Sequence, residues 1–479
     1  MNYFQLSSNK ALKPAIRLML ILFPFSFSFQ MHAQSQFIGF WNGITELQGM
    51  PMRAVFEISS LKPGSEFGVF KSPDQNDGEL AISDIRIKSD SIFIDVASIK
   101  VRFEGLFIPN TGKIAGKIVQ SGQDYPITLQ RELIESAVYR PQEPQAPFPY
   151  YFENVRFENK KAGIQLAGTL TLPAKKGSFP MVVLISGSGP QDRNEEIFEH
   201  KPFLVLADYL AKNGIGCLRY DDRGVGESEG DFAAATSYDF ASDVEAAVAY
   251  LQSRRTSGVI GLMGHSEGGI IAPMVGAENP DIAFIVSLAG IGVPIDQILY
   301  QQSIDIAMAE GVDRASAEVE AGRSAELIAI LKAESNSAIA LEKCSLKFDD
   351  LFESYKSLLP NYEEFKNAQL SSMATPWMHV LLNLDPGTYW SRVKCPVLAI
   401  NGSKDVQVNM DQNLRAIEQF LIAGNNEDFT ISPLKDHNHL FQRCSTGAVS
   451  EYGKIEMTVS PTALDLIVEW IRPRFAVKD

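Results

Sequence analysis

The sequence predicts a two-domain protein in which a small all-β domain precedes an α/β domain with a mostly parallel sheet. Short β-rich runs separated by turns fill residues 35–135, whereas apolar strands alternate with helical stretches in residues 151–479. The proline-dense stretch 136–150 lies between these two patterns and predicts a linker. The 479 residues, 45% hydrophobic and 21% charged, suffice for two buried cores.

Residues 1–33 have the composition of a secretory signal peptide. Lys10, Lys13 and Arg17 precede an apolar stretch, 18–29, that contains a proline and is too short to span a bilayer comfortably. We therefore expect this segment to be cleaved and the mature protein to be exported, either to the periplasm or to the extracellular medium. A permanent membrane anchor is the alternative.

The formal net charge of −15 disfavours nucleic acid and anionic membranes as partners. No Cys or His cluster has the spacing of a zinc site, and the nearest approach is His437 with His439. We therefore expect no metal and no other cofactor. The four cysteines do not make a disulfide scaffold, although Cys344 and Cys444 could pair after export.

Seven β-rich runs in the first domain have the spacing of a small antiparallel barrel or sandwich. They are 52–58, 67–71, 82–88, 91–97, 101–108, 113–119 and 125–131. Residues typical of turns separate them, as in 109–112 and 121–124.

The second domain contains six predicted strands and one long helical insertion. The strands are 181–185, 216–220, 259–263, 283–288, 396–401 and 429–431. Between about 291 and 390 the alternation stops and residues of helical character intervene. We interpret this block as a cap inserted after a core strand; the alternative is a further helical layer packed far from the site.

A nucleophile elbow is indicated by the run GHSEGG at 264–269, which follows an apolar strand and precedes a helical stretch of small residues. A serine hydroxyl is a poor nucleophile at neutral pH, so it must be exposed on a sharp turn within reach of a base and backbone N–H groups. Gly264 and Gly268 permit such a turn. Ser266 is therefore the candidate nucleophile, and a turn that merely contains serine is the alternative.

A serine elbow in such a sheet requires an acid and then a histidine later in the chain. Asp405 follows the strand 396–401 and is expected on a loop at its carboxyl end. Asp411 is the fallback, but it begins a predicted helix and suits a cap better. Only His437 and His439 lie beyond these acids, and chain order leaves both open as the base.

Four motifs together resemble the α/β-hydrolase superfamily, and within it the secreted bacterial carboxylesterase branch of the EstD-type esterases. They are SGSGPQDR at 186–193, DRGVGES at 222–228, GHSEGG at 264–269 and NHLFQ at 438–442. The preceding β-rich segment is similar to the N-terminal module of this branch. The resemblance implies an α/β-hydrolase fold with a helical cap, in which Ser266 is the nucleophile, Asp405 the orienting acid and His439 the base.

Two backbone N–H groups are expected to form the oxyanion hole of such a site. One belongs to Glu267, the residue after the nucleophile, and the other to the loop after the strand 181–185. Ser186 occupies the place in that loop where relatives often carry histidine, and the N–H of Ser188 is the candidate donor. The Glu267 carboxylate is expected to brace neighbouring loops, and Arg193 and Arg223 to form structural ion pairs with nearby acids.

These inferences predict a serine hydrolase that cleaves small carboxylic esters through an acyl-enzyme, with short acyl chains implied by the resemblance. A serine peptidase of the aminopeptidase kind is the alternative, because acidic cap residues such as Glu310 and Glu318 could bind an amine terminus. A binding protein with an inactive hydrolase domain is a third interpretation. The complete set of Ser266, Asp405 and His439 disfavours it.

Overall fold

The computed structural model describes residues 36–47, 50–60, 66–73, 76–120, 122–132, 140–353, 356 and 362–475. The predicted signal peptide, 1–33, lies outside these residues. The chain forms two compact units: an α/β unit of residues 138–354 and 369–479, and a β unit of the preceding residues together with 355–368. None of the helices described is both long and apolar enough to cross a membrane.

The described strands of the β unit form two antiparallel sheets. The first contains β1 (Gly39–Leu47), β2 (Met50–Ser60), β3 (Glu66–Ser72) and β4 (Asn76–Ala81), and the second contains β5 (Asp84–Lys88), β6 (Ser91–Val96), β7 (Val101–Ile108), β8 (Lys113–Gln120) and β9 (Gln123–Leu129). Trp41 and Phe56 of the first sheet share one buried apolar cluster with Phe103 of the second. This shared core makes the unit a small antiparallel sandwich.

The sequence prediction omits two of these strands, β1 and β4. Gly and Asn residues interrupt the alternation of β1, and β4 begins with the turn-forming residues 76–78. Pairing overrides these local preferences, because β1 aligns Trp41 with Phe56 of β2 and thereby adds a large side chain to the core.

An eight-stranded sheet in the order β10-β11-β13-β12-β14-β15-β16-β17 organises the α/β unit. Its strands are β10 (Tyr151–Asn159), β11 (Ile164–Leu172), β12 (Phe179–Ile185), β13 (Gly216–Tyr220), β14 (Ser257–His265), β15 (Ile282–Leu288), β16 (Val397–Gly402) and β17 (Phe429–Leu434). Neighbours from β13 to β17 are parallel, which agrees with the prediction. The prediction omits the antiparallel pair β10 and β11, because β10 alternates exposed polar residues with half-buried ones and lacks a continuous apolar run.

Helices connect these strands and form the insertion between β15 and β16. In chain order they are α1 (Pro202–Lys212), α2 (Ser237–Gln252), α3 (Gly268–Glu278), α4 (Ile295–Ala309), α5 (Arg314–Ala333), α6 (Ser337–Leu351), α7 (Tyr362–Met373), α8 (Pro376–Asn383), α9 (Pro386–Trp390), α10 (Met410–Ala423), α11 (Val449–Tyr452) and α12 (Pro461–Phe475). Helices α4 to α9 occupy the predicted cap at about 291–390. Residues 362–368 of α7 are assigned to the β unit.

The second half of the predicted linker, 136–150, is fixed to the α/β unit. The Arg140 guanidinium donates to four backbone carbonyls of that unit, at 2.6 to 3.2 Å. The Gln142 side chain donates to the Val459 carbonyl at 2.6 Å. Residues from 140 onward are therefore held to the surface of the α/β unit and do not act as a free spacer.

Candidate active site

Ser266 lies on a sharp turn between β14 and α3, as the sequence predicts. Its φ of 53° is in the left-handed region, which a residue with a side chain adopts only at a cost of about 1–3 kcal/mol. The turn requires glycine on both sides, because a Cβ at Gly264 would lie 1.9 Å from the Gly268 carbonyl oxygen, and one at Gly268 would lie 2.2 Å from the Ile185 carbonyl oxygen. The packing around the elbow therefore holds the serine in a strained conformation.

Asp405 and His439 are brought together by two loops that follow β16 and β17. The Nδ1 atom of His439 is 2.8 Å from Oδ2 of Asp405. The other carboxylate oxygen accepts the backbone N–H groups of Gln407 and Val408 at 2.8 and 2.9 Å. Because Asp405 is only 5% exposed and both of its oxygens are bonded, the carboxylate is fixed and orients the imidazole.

His437, the other candidate base, has different partners. Its Nδ1 atom is 2.7 Å from the Lys435 carbonyl oxygen, and its Nε2 atom is 2.7 Å from the Ser460 hydroxyl. Burial lowers the pKa of His437 below its ordinary value, which favours the neutral ring. These contacts make His437 a structural histidine of the loop and leave His439 as the one that pairs with Asp405.

The elbow and the loop that carries His439 are in direct contact. The ring of His265, the residue before the candidate nucleophile, lies with its centroid 4.7 Å from that of His439. Asp411, the alternative acid, is instead the second residue of α10, and the N-cap of this helix is Asn409, which accepts the N–H of Gln412 at 3.2 Å. The expectation that Asp411 provides the cap is therefore wrong. The N-cap lies two residues earlier, at Asn409, whose side chain binds a free N–H group of the first turn.

Two buried carboxylates hold the loop that carries Ser188, the second candidate oxyanion donor. The Ser186 hydroxyl donates to Oδ1 of Asp222 at 2.7 Å, and the N–H of Gln191 donates to Oδ2 at 3.0 Å. The N–H of Gly187 donates to Oε1 of Glu195 at 2.7 Å. Ser186 thus anchors the loop through its hydroxyl group.

The backbone N–H groups of Ser188 and Glu267 are the candidate oxyanion donors. Within the part of the chain that the structure describes, neither N–H is bonded to a protein acceptor. Ser188 follows Gly187, and a Cβ added at Gly187 would lie 3.1 Å from Cβ of Ser266, so this loop lies against the elbow. Both donors are therefore available to an oxyanion formed at Ser266.

The Glu267 carboxylate joins the elbow to the cap. It accepts the Ser237 hydroxyl at 2.7 Å and the Nε1–H of Trp377 at 2.9 and 3.0 Å to its two oxygens. Burial raises the pKa of Glu267, although the hydrogen bonds from Ser237, Trp377 and Ser188 oppose this shift. The predicted bracing role agrees with these contacts. The contact with Trp377 could not be predicted, because an isolated aromatic residue of a cap is most often packing.

Removal of the indole N–H is expected to loosen α8. In Trp377→Phe, the buried Glu267 carboxylate loses one donor, which is expected to lower the free energy of unfolding by about 1–3 kcal/mol. Denaturation monitored by circular dichroism measures this change, with Tyr300→Phe on α4 as a control that removes a polar group from a half-exposed cap aromatic. Equal stability of the two variants would contradict the proposed contact.

The arginines of two loop motifs, Arg193 and Arg223, form ion pairs beside the site. Arg193 contacts both oxygens of Asp221 at 2.9 and 2.6 Å. Arg223 contacts both oxygens of Asp243 at 2.7 and 2.9 Å. These buried pairs are the predicted structural bridges that hold the loops around the site.

One buried acid of the site was not predicted. Glu195 is 3% exposed and lies between the Gly187 N–H and the His265 ring. In the sequence it is one of two adjacent glutamates in a polar loop, so no pattern distinguishes it from a surface acid.

The described residues contain neither a candidate metal site nor a disulfide. Among the residues described, no group of three His, Cys, Asp or Glu side chains is arranged to hold a metal ion. Cys344 and Cys444 are both free thiols, so the pairing considered from the sequence is not formed.

The strand order, the serine elbow between β14 and α3, and the acid and histidine on later loops define an α/β-hydrolase. This confirms the fold class predicted from the sequence. The family described as X-Pro dipeptidyl-peptidase (S15 family) matches residues 133–424, and the chain belongs to this family.

The predicted resemblance to the EstD-type esterases is also confirmed. Esterase EstD from Thermotoga maritima is 31% identical over 189 residues, which are 38% of this chain and 46% of that relative, so the match spans about half of EstD. Similar solved structures include the Pyrococcus furiosus esterase Pf2001, with 15% identity, a TM-score of 0.43, and coverage of 72% of this chain and 100% of that one. The α/β hydrolase GrgF from Penicillium sp. sh18 has 18% identity, a TM-score of 0.42, and coverage of 68% of this chain and 99% of that one.

Proposed function

We propose that this protein is a serine hydrolase of carboxylic esters that acts through Ser266, His439 and Asp405. The observation that carries the proposal is the 2.8 Å contact between His439 and Asp405 on loops that meet the strained elbow. This arrangement can orient an imidazole for proton transfer from a serine hydroxyl.

In the first half of the reaction, Oγ of Ser266 attacks the ester carbonyl carbon while Nε2 of His439 takes the hydroxyl proton. The N–H groups of Ser188 and Glu267 bind the resulting oxyanion. When the tetrahedral intermediate collapses, the carbonyl carbon–alkoxy oxygen bond breaks, and His439 returns the proton to the departing alcohol. The product of this half-reaction is an acyl-enzyme on Ser266.

In the second half, a water molecule attacks the acyl-enzyme and gives a proton to His439. A second tetrahedral intermediate collapses, the bond to Oγ of Ser266 breaks, and His439 protonates that oxygen. The carboxylic acid leaves and the free serine is restored. Short acyl chains are part of the proposal because the EstD-type resemblance implies them.

Peptide-bond hydrolysis is the second candidate, and the family match favours it. The acids considered as anchors for an amine terminus already have protein partners. Glu310 accepts the Ser450 N–H and hydroxyl at 3.3 and 3.0 Å, and Glu318 pairs with Arg314 at 2.7 Å. Neither acid therefore supports recognition of a peptide N-terminus, which leaves ester hydrolysis as the better-supported function.

A substrate panel separates the two candidates. We expect kcat/KM for p-nitrophenyl acetate and butyrate to exceed the values for p-nitrophenyl octanoate, alanine p-nitroanilide and glycyl-prolyl p-nitroanilide. A higher kcat/KM for either anilide would replace the ester hydrolase with a peptidase. No turnover together with no labelling by a fluorophosphonate probe would favour the inactive binding protein.

Export is proposed separately, from the composition of residues 1–33. The intact mass of protein purified from the native host tests it, because cleavage removes this segment. A mass that includes residues 1–33 would favour the membrane anchor.

A further inference from the structure

His265 lies between two hydrogen-bond acceptors. Its Nε2 atom is 3.0 Å from the carbonyl oxygen of His439, and its Nδ1 atom is 2.9 Å from Oε1 of Glu195. A carbonyl oxygen only accepts, so Nε2 carries a hydrogen. If the Glu195 carboxylate is ionised it also only accepts, so Nδ1 then carries a hydrogen as well and the ring is an imidazolium.

The Glu195 carboxylate binds two parts of the site at once. The same Oε1 atom that faces His265 accepts the Gly187 N–H at 2.7 Å. Gly187 directly precedes Ser188, the candidate oxyanion donor, while His265 directly precedes the nucleophile. One carboxylate thus connects the oxyanion loop with the elbow.

The His265 ring extends this connection to the base. It binds the backbone of His439 through Nε2, and the centroids of the two rings are 4.7 Å apart. A shift of the ring would therefore move the residue that carries the proton in catalysis. Glu195, at 3% exposure, and His265, at 7%, are shielded from solvent and keep this geometry.

We propose that Glu195 and His265 form a charged positioning pair. The pair holds the backbone N–H of Ser188 and the imidazole of His439 in the positions around Ser266 that the reaction requires. The inference rests on the proposed function of that site. Neither residue touches the reacting atoms in this scheme; both act through the groups they hold.

The pair makes the activity of the site depend on pH, because the charge of His265 is lost when the ring loses a proton. The ionisable groups that face His265 are Glu195, His439 and Asp405. Burial lowers the pKa of His265. The Glu195 carboxylate, the His439 carbonyl and the negative charge of Asp405 raise it and outweigh the effect of burial. The pKa is therefore above its ordinary value. A group with a raised pKa contributes fully below its ordinary pKa, and the contribution is lost as the pH rises through the folded-state value. Activity that depends on the pair is therefore expected to fall as the pH rises through this raised pKa.

Glu195→Gln tests the proposal, because it keeps the size of the side chain and removes the charge that holds the proton on His265. We expect kcat for p-nitrophenyl butyrate to fall on the order of 10- to 100-fold, as for a displaced catalytic group. The alkaline limb of the kcat/KM profile is expected to move to lower pH. Glu196→Gln is the matched control, since it removes a neighbouring charge outside the pair and is expected to keep the wild-type profile.

A direct readout distinguishes positioning from a purely structural role. In protein labelled with ¹⁵N-histidine, His265 is expected to show two protonated ring nitrogens at pH 7, and Glu195→Gln is expected to lose one of them. His265→Gln identifies the signal. Thermal unfolding of each variant verifies that it is folded.

A neutral His265 ring in the wild type at pH 7, or a folded Glu195→Gln variant with the wild-type pH profile, would overturn the proposal. Failure of the proposed function is a different result, namely wild-type protein that neither turns over esters nor reacts with a fluorophosphonate. The ¹⁵N measurement does not depend on that outcome.

Discussion

Ser266→Ala is expected to reduce kcat for p-nitrophenyl butyrate by about 10⁶-fold, the effect of removing the nucleophile from a complete triad. No acyl-enzyme can form without the hydroxyl, and the oxyanion donors alone accelerate attack by water only modestly. The variant is expected to fold normally, because the strain of a positive φ is no greater for alanine than for serine. Steady-state turnover and fluorophosphonate labelling measure the two consequences.

Ser253→Ala is the control for this substitution. Ser253 is an exposed serine at the end of α2, and its hydroxyl donates to the Tyr250 carbonyl at 2.7 Å. Full activity and full labelling are expected. Retention of wild-type turnover by Ser266→Ala would remove Ser266 from the mechanism.

The second large effect is expected for His439→Ala, which should lower kcat to a similar extent because the serine loses its general base. Asp405→Asn is expected to cost less, about 10⁴-fold, since the imidazole remains but its orientation and charge stabilisation are lost. Rates measured at saturating ester, with circular dichroism as a check of folding, provide the test.

His437→Gln provides the comparison within the same loop. The glutamine side chain can replace at least one of the contacts with the Lys435 carbonyl and the Ser460 hydroxyl. Stability is expected to change more than kcat. If His437→Gln lost activity and His439→Ala retained it, the base would be His437.

Sequence reasoning identified the parts of the site that local patterns encode. The elbow is one such part, because strand, turn, glycines and helix follow one another within a few residues around Ser266. The order of Ser266, Asp405 and the histidines could also be predicted, because the parallel sheet places the ends of successive strands along one edge.

No local sequence pattern distinguishes His437 from His439 as the base. The two residues differ in what lies opposite them after folding: Ser460 faces His437, and Asp405 faces His439. Only the resemblance to known esterases favoured His439 before the fold was available.

Glu195 and Trp377 could not be selected from the sequence for a related reason. Glu195 meets His265 across 70 positions of the chain, and Trp377 meets Glu267 across 110. Acids and aromatic residues are common in loops and caps, so the residue type carries little information without the contact. In the β unit, β1 was missed because its stability derives from pairing with β2, which alternation within β1 does not reveal.

Arg140 has a practical consequence for dissecting the protein into fragments. A fragment that begins at residue 151, where the first strand of the α/β unit starts, would leave four backbone carbonyls without the guanidinium that binds them. A fragment that begins at residue 138 keeps this anchor. A stable fragment of the α/β unit is therefore expected to include residues 140–150, and a fragment trimmed by a protease within that segment should aggregate more readily than the longer one.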